Sequence, residues 1–508
     1  MTDPLTRRRF LQSAIASGVA VGSGAALGKR AHAVSTASKS GERPNLLFVM
    51  SDQWRWHAMG YLGLDPVLTP NVDRFARTAT DFTNSFTAIP ICGPNRSCIL
   101  SGRLPQSTGN WTNEALLPTD GQSLPSRLKA AGYRTGYIGK WHLDGNLHHN
   151  NPVPVERRHG LDLFAMPFSG HRHFEIDYQV NDDRDTQDDP AWQVTYETDM
   201  GLGFLRDHAN ADEPFALMLS YSPPHGGYGA TYGDRRRNPT KSDVRGGFKA
   251  PAEFEALYPD MANAKRPPNF RKMRTWDDER LLSDPFEIAG PGYFGACSSI
   301  DHEFGRLLDE LDRLGVADNT VVVFTSDHGE MLGSHGRMAK GVPFEESIHV
   351  PFLVRDPRGG QAGEVDRLMS SIDMAPTMLS LLGLTPPTVM DGFDFTPIIR
   401  GGSADSPDSV LIGFDRGASH ERWTRAFRQV RTADRSYAIG QAPQYRALLG
   451  EQRRAMWDVA NDPYQLECME PGMGRDAEMD DLHDRLAALL DRHNDRYIDE
   501  RWHHTEAG

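Results

Sequence analysis

Cysteine is almost missing from this chain: among 508 residues there are four, Cys92, Cys98, Cys297 and Cys468, and no Cys-x-x-Cys pair. So few exclude a disulfide-stapled scaffold, and their spacing excludes structural zinc. A thiol kept under such scarcity points to reactivity in at least one of the four. Positive charge is short as well, with 55 Lys and Arg against 69 Asp and Glu, a net of −14. That balance argues against a nucleic-acid binder, which needs a basic face, and forces any anionic ligand to find its cations inside a pocket. Past the N-terminal segment no apolar run reaches the length of a membrane span. No internal repeat is present, and a 38% apolar fraction with 48 Gly and 34 Pro is neither disordered nor fibrous. What is left is a globular chain long enough for one large domain and a smaller one.

The N-terminus runs Thr6-Arg7-Arg8-Arg9-Phe10-Leu11, then a weakly apolar, Gly-rich stretch from Ala14 to Leu27, then Ala31-His32-Ala33. The basic start, short apolar centre and small-x-small end resemble a twin-arginine export signal over 1–33, cleaved after Ala33. The expectation is a bacterial protein exported to the periplasm or beyond. The twin-arginine translocase carries folded chains, so side-chain chemistry can be completed in the cytoplasm before export.

Short β-rich apolar runs then alternate with amphipathic helical stretches. Leu46 to Met50, Arg134 to Ile138, Phe215 to Tyr221, Thr320 to Ser326 and Pro351 to Val354 read as buried strands. Phe304, Leu307, Leu308, Leu311 and Leu314 share one helical face, and Gly315 supplies the stop. This alternation predicts an α/β fold with a large, mostly parallel central sheet flanked by helices. Asp144 to Gln193 and Gly226 to Pro291 interrupt the pattern and read as long insertions, the first carrying His148, His149, His171, Arg172, His173 and Tyr178, the second Arg235 to Arg237. A Gly- and Ser-rich linker over 401–407 separates a catalytic domain, 42–400, from a smaller C-terminal α+β subdomain, 408–508. Its expected strands are Arg428 to Thr432 and Ala455 to Val459, and its closing helix Met479 to His493.

Four of the expected strands end in groups suited to catalysis: Asp52-Gln53, Lys140-Trp141-His142, His225 and Asp327-His328. Ligands of open α/β sheets bind outside the carboxyl ends of the strands, so a shared parallel sheet would gather all of them at one edge. Taken singly, each is a turn former, a structural imidazole or a solvated lysine. Joint occurrence is the signal. A further segment, Cys92-Gly93-Pro94-Asn95-Arg96-Ser97-Cys98-Ile99-Leu100-Ser101-Gly102-Arg103, places a thiol just ahead of a helix N-terminus with an arginine inside the first turn, a field that favours an anion.

That segment resembles the formylglycine signature of the type I sulfatases, Cys-x-Pro-x-Arg followed by an apolar residue and Ser/Thr-Gly-Arg. The resemblance runs from Pro44-Asn45-Leu46-Leu47 to Met456-Trp457-Asp458-Val459 and implies an alkaline-phosphatase-like sandwich. On it, Asp52-Gln53 and Asp327-His328 match the metal-binding pairs, and Gly139-Lys140-Trp141-His142 and Pro223-Pro224-His225 match two further motifs. Lys340 matches a late catalytic lysine. Asn95 stands where a small residue is usual, Gln53 where many members have a second Asp, and His328 where others have Asn. The implied metal set is Asp52, Gln53, Cys92, Asp327 and His328. Mostly oxygen donors favour Ca²⁺, with Mg²⁺ or Mn²⁺ as alternatives.

The resemblance implies that a maturase oxidises Cys92 to formylglycine and that one hydroxyl of its hydrate attacks sulfur. Arg96, Lys140 and Lys340 then hold the developing charge, His225 or Lys340 protonates the leaving alcohol, and His142 takes the proton that lets the aldehyde reform. The implied substrate is a sulfate ester, leaning to a sulfated carbohydrate. Two alternatives stand beside it: a phosphodiester or phosphonate monoester hydrolase of the same superfamily, where Gln53 and His328 also occur, and a non-catalytic sulfated-glycan-binding protein in which Cys92 stays a thiol.

Overall fold

A computed structural model describes residues 43–114, 116–145, 151–168, 172–174, 176–185, 192–226, 248–274, 282–415, 426–440, 454–495 and 497. Ten strands form the main sheet: β1 (Asn45–Asp52), β2 (Thr80–Phe86), β3 (Arg134–Gly139), β4 (Leu163–Pro167), β5 (Tyr178–Val180), β6 (Asp183–Asp185), β7 (Phe215–Pro224), β10 (Thr320–Ser326), β11 (Phe352–Arg355) and β12 (Gly363–Ser370). Between them in sequence, β8 (Met273–Arg274) and β9 (Leu282–Ser283) make a separate two-stranded hairpin. The order across the main sheet is β12-β2-β11-β10-β1-β7-β3-β4-β5-β6. Its five central members, β10, β1, β7, β3 and β4, are all parallel. The segment read as Pro351 to Val354 does form a strand, but it runs antiparallel to β10.

Central parallel strands are covered on both faces, and their sequences show it. Leu47 and Val49 pack with Phe204, Phe294, Phe304 and Leu311 on one side. Leu46, Phe48 and Met50 meet Leu128, Met374 and Met378 on the other. The long helix Pro285–Leu314 carries the expected apolar face, starts on Asp284, whose side chain caps Glu287 N–H, and stops at Gly315 with φ 71°. Left-handed backbone there costs glycine nothing.

The two insertions are less separate than their composition suggests. Asp144 to Gln193 supplies β4, β5 and β6, which extend the main sheet, and Gly226 to Pro291 holds the hairpin and the opening turns of the Pro285–Leu314 helix. Pro285 in the first helical turn loses no hydrogen bond, and Pro291 lies further inside the same helix. Residues His148, His149, His171 and Arg235 to Arg237 lie outside the described residues.

Toward the C-terminus, β13 (Val410–Phe414), β14 (Phe427–Arg431), β15 (Arg435–Gly440) and β16 (Arg454–Asp458) form an antiparallel sheet in chain order. The helix Asp476–Arg492 buries Met479, Leu482, Leu486 and Leu490 against it. The same apolar cluster takes in Phe86, Ile89, Cys98, Phe344 and Ile348, so the small sheet is packed onto the main domain without a break.

Candidate active site

The parallel order puts the carboxyl ends of β10, β1, β7 and β3 side by side, and each end delivers a functional group. From β1 come Asp52 and Gln53, from β10 Asp327 and His328, from β7 His225, and from β3 Lys140 and His142. Pairing of Ser51 with Ser326 and of Gly139 with Ser220 sets these ends level. Gly139 has to be glycine: at φ 110°, an added Cβ would stand 2.2 Å from the Ser220 carbonyl oxygen. The helix Cys92–Ser101 points its N-terminus into the same place, with Cys92 as its first residue and Gly102 closing it at φ 65°.

Asp52, Cys92, Asp327 and His328 bring one ligand atom each within 4.8 Å of one another, all buried. Cys92 Sγ lies 3.1 Å from His328 Nε2 and 3.7 Å from Asp52 Oδ1. Arg96 Nε donates to Asp327 Oδ2 at 2.8 Å, and its Nη1 donates to Ser220 Oγ at 2.6 Å and to the Lys140 carbonyl at 2.8 Å. Lys140 Nζ donates to Asp52 Oδ2, which Arg96 Nη2 approaches to 3.4 Å. Gln53, left-handed at φ 73°, donates its N–H to Asp327 Oδ1 at 3.1 Å. Its amide oxygen accepts from Lys340 Nζ, and its amide nitrogen donates to Glu330. His225 Nδ1 faces the Gly226 carbonyl at 2.8 Å. His142 is buried at the end of β3 with φ 60°, its carbonyl oxygen 3.1 Å from where a Cβ on Gly93 would be.

The electrostatics follow from stacking charge in a dry place. Burial alone would raise the Asp52 carboxyl, but Lys140, His225 and Arg96 reverse this and hold it well below the usual range. Burial and Asp52 raise the Cys92 thiol, yet Lys140, Lys340 and His328 bring it below the ordinary thiol range. His225 is pushed well down by burial and by Lys340. A buried thiol inclined to ionise, beside two carboxylates and three basic side chains, makes a cluster that could hold a metal ion.

Three supports were not visible in the sequence. Asn95, read only as a departure from a motif, donates to the Asp327 carbonyl and accepts from Ser371 Oγ at 2.6 Å, bracing the metal-side loop against the helix. Ser220 sits in the apolar run of β7, and only strand register puts it beside Arg96. Glu330 accepts from Gln53 and from the Leu332 and Ala339 N–H groups. Its place three residues after Asp327 was the one signal available. Of the insertion residues, Arg172 is exposed, His173 is buried against the His225 carbonyl, and Tyr178 is buried against Glu197.

The sulfatase family model matches residues 44–384, and a model of the N-sulphoglucosamine sulphohydrolase C-terminal region matches 333–493. An ulvan-active sulfatase of Formosa agariphila is 29% identical over 454 residues, covering 89% of this chain and 81% of its own length. An endo-4-O-sulfatase of Bacteroides thetaiotaomicron is 26% identical over 515 residues, covering 92% of this chain and 94% of its own. Among solved structures, a protein from work on the metabolism of multiple glycosaminoglycans by Bacteroides thetaiotaomicron superposes with a TM-score of 0.72 at 26% identity, over 91% of this chain and 98% of that one.

Proposed function

The chain belongs to the sulfatase family of the alkaline phosphatase superfamily, and from that premise we propose that it hydrolyses sulfated carbohydrates through Cys92 converted to formylglycine, with one divalent cation. Its reaction is the hydrolysis of a sulfuric ester. The observation that carries the finer reading is the convergence of Asp52, Cys92, Asp327 and His328 within 4.8 Å at a helix N-terminus.

The residues present fit such a cation. Asp52 and Asp327 offer carboxylate oxygens, Gln53 an amide oxygen, and His328 turns Nδ1 to the Gly329 carbonyl at 3.1 Å, which leaves Nε2 facing Asp52 Oδ1 at 3.4 Å and Asp327 Oδ1 at 3.6 Å. Ca²⁺ suits this set best, with Mg²⁺ or Mn²⁺ next. When bound, the cation supplies Lewis-acid polarisation of a sulfuryl oxygen. Formylglycine, as its hydrate, supplies a nucleophile with a second hydroxyl through which the residue is regenerated.

The chain's own side chains do the rest. Arg96, Lys140 and Lys340 face the oxygens on which charge gathers. His225 works at the leaving oxygen. Burial and Lys340 keep its ring neutral at rest, and the charge of an arriving ester offsets those cations, so the ring gains its proton together with the substrate. Lys340 is the second candidate acid, and His142 takes the proton that resets the nucleophile.

A carbohydrate ester is supported by a relative named for ulvan and by a structural relative from glycosaminoglycan metabolism. It agrees with export to the periplasm or beyond through the leader over 1–33, which lies outside the described residues. None of the described helices is long and apolar enough to cross a membrane. The partners of this reading are a formylglycine-generating maturase, the twin-arginine translocase and a sulfated glycan. We divide the mature chain into a catalytic domain, 42–400, and a C-terminal subdomain, 408–508. Comparing kcat/KM for an aryl sulfate, an aryl phosphodiester and a sulfated sugar tests the substrate class, since that ratio measures differential transition-state binding. The sulfated sugar is expected to lead. A preference for the phosphodiester would overturn the reading.

A further inference from the structure

Behind His225 lies a chain of buried polar groups that the reaction as described does not use. His173 is 4% exposed and its Nε2 meets the carbonyl oxygen of His225 at 2.8 Å. Its Nδ1 meets Gln193 Oε1 at 3.0 Å, and its own carbonyl accepts the Gln193 N–H at 3.0 Å. Gln193, the first residue of the helix Gln193–His208, donates through Nε2 to Ser222 Oγ on β7 at 2.9 Å and to Glu197 Oε1 at 2.8 Å. Glu197 is fully buried. Its Oε1 also accepts from Tyr178 OH at 3.3 Å, while its Oε2 has no hydrogen-bond partner among the described residues. That second oxygen sits 3.3 Å from where a Cβ on Gly139 would be, directly behind Lys140.

Proton counting constrains this row. Both ring nitrogens of His173 face oxygen. With Gln193 in this orientation the ring must donate from both sides, which only an imidazolium can do, and Glu197 is then its carboxylate counterpart. With the Gln193 amide turned over, a neutral ring accepts at Nδ1, Ser222 Oγ can donate to the Gln193 oxygen, and that oxygen then stands 2.8 Å from Glu197 Oε1, a contact between two acceptors unless Glu197 carries a proton. Either way the row from His173 to Glu197 holds one ionisable proton and is neutral overall. A single uncompensated charge in this place would be costly. Burial lowers the His173 ring and raises the Glu197 carboxyl to about 8, which favours the second arrangement at neutral pH. Among the described residues, the charged and titratable groups facing the row include Arg96, Tyr178 and Tyr221 at the Glu197 end and Lys140 and Asp52 at the His173 end.

We propose that His173, Gln193 and Glu197 are positioning residues that share one proton and hold the His225 peptide so that the His225 ring stays aimed at the leaving oxygen. The main chain at His225 is held twice, by His173 on its carbonyl and by the His225 ring on the next carbonyl, Gly226. Two of the three, His173 and Gln193, come from the Asp144 to Gln193 insertion. Their contacts point inward, to the catalytic histidine.

The proposal rests on the reading of His225 as the group at the leaving oxygen, and leaving-group dependence separates the two. A nitrophenyl sulfate leaves without protonation, whereas a sugar sulfate needs it. In the full-length mature enzyme, His173→Ala is expected to lower kcat on a sulfated sugar by about tenfold or more, with KM little changed, and to lower it by less than about threefold on 4-nitrophenyl sulfate. His225→Ala should show the same discrimination, only larger. Glu197→Gln, which keeps a neutral hydrogen-bonding group, should retain most of the activity on the sugar, and Glu197→Leu should lose it. That pair carries the test if His173→Ala does not fold. Equal loss on both esters in His173→Ala, or a change in KM alone, would overturn the positioning role, and Glu197→Gln as damaged as Glu197→Leu would overturn the shared neutral proton. If His225→Ala itself fails to discriminate, the leaving-oxygen reading falls first, and the relay with it.

Discussion

Two regions of this molecule bury charge, and they do it in opposite ways. Under the C-terminal sheet the buried carboxylates of Asp495 and Glu345 each have one guanidinium of their own, beside Gln106 at Asp495 and His349 at Glu345. Arg428 meets both oxygens of Asp495 at 2.7 and 3.0 Å, and Arg431 meets both oxygens of Glu345 at 2.8 and 3.4 Å. At the ends of the parallel strands nothing is one to one. Asp52 is shared among Lys140, Arg96, His328 and Cys92, and Asp327 among Arg96, the Gln53 N–H and the His328 N–H. Closed pairs satisfy each other and hold two layers in register, whereas a shared cluster keeps its partners free to be redistributed when an anion or a metal ion arrives. Buried charge by itself therefore does not mark a site. Unequal sharing does.

The comparison breaks most sharply at the nucleophile. Cys92→Ala is expected to cut turnover by at least about 10⁴-fold while circular dichroism and the unfolding midpoint stay near wild type. Peptide mass spectrometry of active enzyme should find formylglycine at position 92, and an active preparation carrying only the thiol would overturn the assignment.

Next in size is the shared cluster itself. Asp327→Ala should lose bound metal by elemental analysis and lower kcat/KM by roughly 10²- to 10³-fold. Chelation of the wild type should act similarly, reversed by Ca²⁺, Mg²⁺ or Mn²⁺ better than by Zn²⁺. Active protein free of divalent metal would refute the oxygen-rich site.

In the closed-pair region the effect should move from rate to stability. Arg431→Leu leaves Glu345 buried without its guanidinium and is expected to cost about 3 kcal/mol in a denaturant midpoint, with kcat/KM little changed. Burial pushes Glu345 up, but Arg431 and His349 bring it down to about 2, against 4.5 when free. A depressed folded-state value means that the unfolded chain binds the extra proton. The stability from this pair is thus full above about pH 4.5 and is lost as pH falls toward 2. The gap between wild type and Arg431→Leu should close over that window, and a gap that persists at pH 2 would show that packing, not charge, was lost.

The smallest effect is the control. Cys98 lies on the same helix as Cys92 but in the apolar cluster under the C-terminal sheet, where burial pushes its thiol well up. Cys98→Ala should cost about 1 kcal/mol and leave turnover intact.

How much of this was legible beforehand differs by element for physical reasons. Thr320 to Ser326 was read to its ends because a strand covered on both faces is a continuous apolar run, and Gly315 marked the helix stop by the backbone it permits. β5 and β6 were missed because three residues each are too few to show an alternation, and β6, at the sheet edge, is polar and largely exposed as well. The residues in direct contact at the site were named from motifs. The residues behind them were not: Ser220, Ser371 and Glu197 carry no local sign of their neighbours.

By itself the sequence determined which segments become strands and helices, through the periodicity of apolar residues, and which atoms are available for chemistry, through the identity of side chains at the segment ends. Tertiary structure alone decided that Gln53 and Asp327, 274 residues apart, share a hydrogen bond, that Lys140 reaches Asp52, and that His173 faces inward. Those contacts depend on strand order and register across the sheet. Any order that buries the same apolar faces satisfies the local pattern equally well, so only the packed whole selects the one that brings these ends together.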